Sequence, residues 1–167
     1  MGEASIEIVD YDAAWPERFR AERGMLEAIL KPWLAGAIEH VGSTAMAGMP
    51  AKPVIDIMAG VSDLDVSRPA IEALSKLGYV YFPYRTDIMH WFCKPSAAFR
   101  THHLHLVPVG SRRWEECLAF RDAIRKDPAL AKEYAALKIR LAMEFRFDRE
   151  AYTEGKTPFV RRVLSRY

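Results

Sequence analysis

The chain has 167 residues, half of them hydrophobic and 28% charged, with a formal net charge of +2. That is enough sequence to bury one core without disulfides, and too little excess charge to imply a basic stripe for nucleic acid. No apolar run reaches the length of a membrane span, and the opening MGEASIEIVDYD is acidic, unlike a signal sequence.

Cys93 and Cys117 lack a paired spacing, so free thiols in a reducing cytoplasm are expected. One domain over residues 1–167 is predicted, with an N-terminal helix (13–34), a sheet core (38–107) and a helical C-terminal part (112–167). Residues 6–11 alternate weakly and read as a short strand. Asp12 is placed to cap a helix to about Leu34, with Pro16 in its first turn and Trp15, Phe19, Met25, Leu26, Ile29 and Leu30 as its apolar stripe. Its Arg18, Arg20 and Arg23 read as a solvated face.

Residues 38–61, IEHVGSTAMAGMPAKPVIDIMAGV, read as a short strand, a glycine-led turn and a second strand over 54–61. Gly42 allows a sharp turn and close approach of a ligand to backbone, and Ser43 and Thr44 add hydroxyls. Lys52 supplies a nearby point charge. Asp56 interrupts the apolar strand PVIDIMAGV, and an acid there is costly unless it is paired or holds a cation. It is either a functional carboxylate or a buried acid satisfied by backbone N–H groups or by Lys52. His40 could meet a phosphate or hold the turn.

Ser67 is placed to cap a helix over 68–76 that stops at Gly78, and residues 79–84, 90–94 (HWFCK) and 103–107 (HLHLV) read as strands. Helical patterns follow from Arg112, broken at Asp127-Pro128, then through about Met143, and again over 149–164. The order predicts a mixed α/β or α+β domain. Residues i and i+2 of a strand share a face, so Asp56 points with Met58, and His103 with His105. Adjacent strands would bring His105 toward Asp56. His102, His103 and His105, with His90, also allow a zinc set, without a Cys/His framework to support it. Asp63 and Asp65 read as a solvated connection, and Arg121, Lys138 and Lys156 as surface charges.

The segments EHVGSTAMAGMPAKPVIDI, THHLHLVP, LAFRDAIRKDP, YAALKIRLA and YTEGKTPFV together resemble the GrpB-like family of the nucleotidyltransferase superfamily. The resemblance implies a small mixed sheet with flanking helices, and a Gly-Ser turn that cradles a triphosphate. It also implies magnesium held by two carboxylates at i and i+2 of the next strand, with a third from a later strand. Carried over, Gly42 and Ser43 match the turn and Asp56 the first carboxylate; Met58 stands where the second would be, and His105 where the third aligns. The implied activity is metal-assisted transfer of a nucleoside monophosphate from an NTP to a small acceptor. Gly42, Ser43, Thr44 and Lys52 would hold phosphate, Asp56 would ligate magnesium, and His105 would complete the metal shell or accept a proton. The resemblance also makes phosphate contact by Arg121, Lys138 or Lys156 possible. The alternative is a silent nucleotide- or phosphate-binding module of the same fold, and a third reading is a His/Asp metal-dependent phosphohydrolase.

Overall fold

The computed structural model describes residues 4–167. Helix α1 (Trp15–Leu30) carries Pro16 in its first turn and buries Trp15, Phe19, Leu26 and Leu30. It ends four residues earlier than the apolar stripe predicts. Pro32 cannot donate into a further helical turn, and the chain enters strand β1 (Leu34–Val41) directly. A 3-10 turn (Ser43–Ala45) leads on to strand β2 (Ile55–Val61). Helix α2 (Ala70–Ser75) and strands β3 (Val80–Phe82), β4 (His90–Pro95) and β5 (Arg100–Pro108) follow. Four helices close the chain: α3 (Arg112–Lys126), α4 (Pro128–Glu144), α5 (Arg149–Gly155) and α6 (Thr157–Leu164).

The expected strand over 6–11 is a correction: it forms only an isolated bridge, Val9 to Ala51. Ser67 is not the cap of α2; its hydroxyl donates back to Asp63 O and Leu64 O within the preceding turn. The single helix expected over 149–164 divides at Lys156, where Pro158 opens a new first turn. The break at Asp127-Pro128 forms as predicted, with Asp127 Oδ1 accepting from the N–H groups of Ala129 and Leu130.

The five strands lie in the order β1-β2-β5-β4-β3, all neighbours antiparallel except β2 and β5, which run parallel. Strand alternation divides the residues of β2 between two layers. Ile55, Ile57 and Ala59 face α1, packed with Phe92, Leu104 and Leu106. Asp56 and Met58 point the other way, toward the C-terminal helices. There Trp114 of α3 packs with Val41, Met58, Met89 and Val107. Met46 and Met49, just after the 3-10 turn, are held by Ile124, Leu130, Tyr134, Phe159 and Val163. The turn that sequence singled out is therefore clamped between the sheet and the helical tail.

One ionic cluster fastens α1 to the sheet. Glu22, only 4% exposed, accepts from the Tyr79 hydroxyl at 2.7 Å and pairs with Lys94 Nζ at 2.5 Å, with His102 Nε2 at 3.7 Å. Arg18, Arg20 and Arg23 on the same helix face solvent in pairs with acids, as expected. Replacing Glu22 by Ala strands the Lys94 ammonium against Tyr79. The variant is expected to lose about 3 kcal/mol in urea denaturation, whereas Glu17→Ala on the exposed face stays close to the parent.

Candidate functional site

The parallel register of β2 and β5 places Asp56 opposite His103 and Met58 opposite His105. His103 Nδ1 lies 3.1 Å from Asp56 Oδ1, and His105 Nε2 lies 3.7 Å from the same oxygen. Both imidazoles thus converge on one carboxylate, and the nearer is His103, which side-chain alternation could not single out without the register. Burial raises the Asp56 pKa, but hydrogen bonds and charge from His103 and His105 hold the carboxyl well below the usual carboxylate range. An ionised carboxylate only accepts, so the His103 proton sits on Nδ1. Burial lowers the His105 pKa, against the pull of Asp56, and its Nδ1 lies 3.4 Å from Met89 Sδ. The Asp56 side chain keeps 30% of its surface exposed, so a ligand can reach it.

The glycine turn is built against this acid. Gly42 adopts φ 71° and ψ −174°, and a Cβ on it would lie 2.5 Å from Asp56 Oδ2. No other residue fits both the backbone conformation and the contact. The N–H groups of Ala45 and Met46 are used within the turn, on Gly42 O and Ser43 O. Thr44 is buried and its hydroxyl meets His40 Nε2 at 2.9 Å, so its side chain braces the turn from within. His40 stacks on Phe19 at 4.7 Å, and burial brings its pKa down to about 4; it is a neutral brace of the turn. Arg125 secures the same turn from α3, donating to Ala45 O at 2.9 and 2.7 Å. Arg121 is committed to Glu39 at 2.6 Å and to His40 O, which fastens α3 to β1.

Three lysines gather on the other side of the turn. Lys52 Nζ and Lys156 Nζ lie 5.0 and 4.6 Å from the centre of the Tyr152 ring. Lys138 Nζ lies 4.8 Å from the Tyr134 ring centre and donates to Pro50 O at 2.5 Å. The expectation that Lys138 is a surface charge is overturned: it is 1% exposed, because α4 turns this face inward onto the turn. Burial, then the like charges of Lys156 and Lys52, bring the Lys138 pKa down to about 7. Burial and Lys52 bring Lys156 down to about 8, against the attraction of Asp56. Burial pushes the Tyr134 phenol up to about 12, against the lowering effect of nearby Ser43, so this ring lies between the cluster and the turn. Neither tyrosine was legible as a site residue, since each sits in an apolar helical stripe.

The donor set does not suit the magnesium centre that the nucleotidyltransferase resemblance implies. Magnesium takes hard oxygens in an octahedron, and here one carboxylate stands between two imidazoles, with buried Met58 at the second position. Among the described residues no group of three or more His, Cys, Asp or Glu side chains is placed to hold a metal ion. Nor, among them, is any helix long and apolar enough to cross a membrane.

A strand-borne acid packed on a glycine turn, inside a five-stranded mixed sheet with a helical tail, defines a small α/β domain. The chain belongs to the GrpB family, whose pattern, described as GrpB protein, matches residues 5–166. It is 32% identical over 170 residues to the glutamate-rich protein GrpB of Alkalihalophilus pseudofirmus, covering 99% of this chain and 97% of that one. It is 38% identical over 166 residues to a UPF0157 protein of Pseudomonas aeruginosa, covering 96% of this chain and 67% of the relative. The crystal structure of the conserved protein GrpB from Enterococcus faecalis superposes with a TM-score of 0.86 at 28% identity, over 96% of each chain.

Gly42→Ala tests the contact between turn and acid. It is expected to cost about 1–3 kcal/mol from backbone strain alone, and more from the collision with Asp56, read by urea denaturation. Measured against Asp56→Gly alone, the double variant Gly42→Ala/Asp56→Gly lacks the collision and shows only the strain.

Proposed function

We propose that this protein binds the polyphosphate of a nucleotide, or of a similar phosphorylated small molecule, between the Gly42-Ser43 turn and the lysines of the helical tail. The observation that carries the reading is the lysine cluster: three ammonium groups share two tyrosine rings, and burial and then neighbouring like charge lower the pKa of Lys138 and Lys156. Like charges gathered this closely repel one another, and a polyphosphate relieves that repulsion. Lys52 and Lys156 offset its charge directly, Ser43 offers a hydroxyl, and Lys138 supports them from beneath. The N–H groups of Ala45 and Met46 are spent on the turn itself, so side chains carry much of the anion's binding.

Nucleotidyl transfer is the second reading, favoured by the ionised, solvent-reachable Asp56 beside the cluster. An acceptor oxygen would attack the α-phosphorus of an NTP, the bond to the β-phosphate would break, and pyrophosphate would leave. The acceptor proton would pass to Asp56 or His105. Magnesium would enter on this reading only as the nucleotide's own counter-ion, carried on its phosphates. Transfer relies on positioning and electrostatic stabilisation, so one carboxylate supports it weakly. Asp56→Asn should then abolish labelled nucleotide transfer and leave ATP affinity in place; a parent protein that binds ATP and transfers no label argues for a binding module alone.

Binding has a proton signature. At about pH 8 Lys138 is mostly neutral and Lys156 about half charged, and an anion raises both pKa values, so the complex takes up protons. Calorimetric titration with ATP in Tris and in HEPES at that pH is expected to give different apparent enthalpies, with and without magnesium. Lys156→Gln should shrink the difference and weaken ATP by about tenfold. Identical enthalpies in the two buffers, or undiminished affinity in the variant, would remove the proposal.

The same depressed pKa fixes the sign of a stability profile. Lys138 is charged in the unfolded chain up to about pH 10 but loses its proton near pH 7 when folded, so the unfolded state binds more protons between them. The cost of burying the ammonium is fully present below about pH 7 and is released as pH rises through that window. Unfolding free energy is therefore expected to climb from about pH 7 to pH 9, and Lys138→Met to flatten the climb.

A further inference from the structure

On the flank of Asp56 away from the lysines, the same sheet face carries groups that phosphate binding at the lysines leaves unused. Trp91 of β4 pairs with His105 of β5, and Phe82 of β3 pairs with Trp91. Indole, imidazoles and carboxylate therefore share one face. The Trp91 ring lies 5.1 Å from that of His103 and 6.5 Å from that of His105. Phe82 and the exposed Tyr84 meet it edge-on at 5.7 and 6.5 Å, and the Arg100 guanidinium lies 5.2 Å from its centre. Trp91 itself is half-buried, so this aromatic ledge reaches solvent.

Arginines border the ledge. Arg113, in the first turn of α3, is close enough for its charge to act on both His105 and Cys117, and Arg85 acts on Cys117 as well. Arg149 of α5 donates to Ala97 O in the β4–β5 connection at 3.2 Å. Among the described residues, Arg113 Nε is buried with no hydrogen-bond partner. Leaving such an N–H unsatisfied is costly, and an anion's oxygen would supply the missing acceptor. Guanidinium groups suit a planar, bidentate partner, whereas the lysines opposite are point charges for a flexible polyphosphate.

We infer that the Trp91 ledge and Arg113 form a second small-molecule subsite, one that takes a planar ring carrying a phosphate, of the class of a nucleoside monophosphate. The ring lies along Trp91, and the phosphate pairs with Arg113 and Arg85 next to His105. The subsite rests on the polyphosphate reading only in assigning the lysine side to the other ligand.

The test titrates AMP, adenosine and inorganic phosphate into protein saturated with a non-hydrolysable ATP analogue. AMP is expected to bind as a second equivalent, and more tightly than adenosine or phosphate alone. Arg113→Gln should weaken AMP by about tenfold and leave adenosine unchanged, while Trp91→Ala weakens both and Trp91→Phe restores most of the loss. The analogue should bind all three variants as it binds the parent. AMP that displaces the analogue one for one, or binds Arg113→Gln like the parent, overturns the subsite. Should the analogue fail to bind at all, the polyphosphate reading falls, and AMP is titrated into the free protein. An Arg113-dependent AMP site then upholds the ledge; no binding, or binding indifferent to Arg113, overturns it.

Discussion

A single carboxylate in the middle of a sheet sets the terms for everything around it. Asp56 lies on β2, between β1 and β5, where an uncompensated charge would oppose folding. Two imidazoles from β5 compensate it, and the Gly42 backbone packs against its second oxygen. The arrangement needs β5 parallel to β2 and in one register, because a slip of one residue would turn both imidazoles to the α1 side. The long connection through α2, β3 and β4 supplies that register. His40, Thr44, Arg121 and Arg125 then hold the turn in place from three directions. Much of the polar chemistry around the turn is therefore structural, and what remains reachable is the acid itself.

The positive charges divide into two kinds. Arg121 and Arg125 are committed to carboxylates and carbonyls and act as bolts. Lys138 is not matched in this way: among the described residues it donates to a carbonyl and pairs with no carboxylate, and the charges acting on it are those of Lys156 and Lys52. Cation–π contact with the two tyrosine rings offsets part of the cost of gathering these like charges. The position of the cluster between the turn and the helical tail means that the site belongs to both halves of the chain. Met58 then has a simple role. Packed with Val41, Met89, Val107 and Trp114, it continues the apolar seam between the sheet and α3, where a second carboxylate would be costly to bury.

Several features were legible because they depend on local chemistry. Alternation separated Asp56 and Met58 from Ile55 and Ile57, Asp127-Pro128 marked a helix start, and Gly42 marked a backbone conformation closed to other residues. The misreadings have equally local causes. An apolar stripe carried α1 too far past Pro32, and weak alternation over 6–11 suggested a strand where the backbone forms one bridge. Thr44 looked like a phosphate ligand because hydroxyls beside a glycine turn point either way, and only the neighbouring His40 decides which.

What the amino-acid order determined by itself was the alternation of faces, the glycine turn and the presence of one anomalous acid, all set within a few bonds of the residues concerned. The choice of His103 as the nearer partner, the inward turn of Lys138 and the meeting of Lys52 with Lys156 were decided by strand register and helix docking. Those contacts join residues as many as 104 positions apart, as with the two lysines on the Tyr152 ring. Their energies depend on burial and on neighbouring charge, quantities that exist only once the chain has folded.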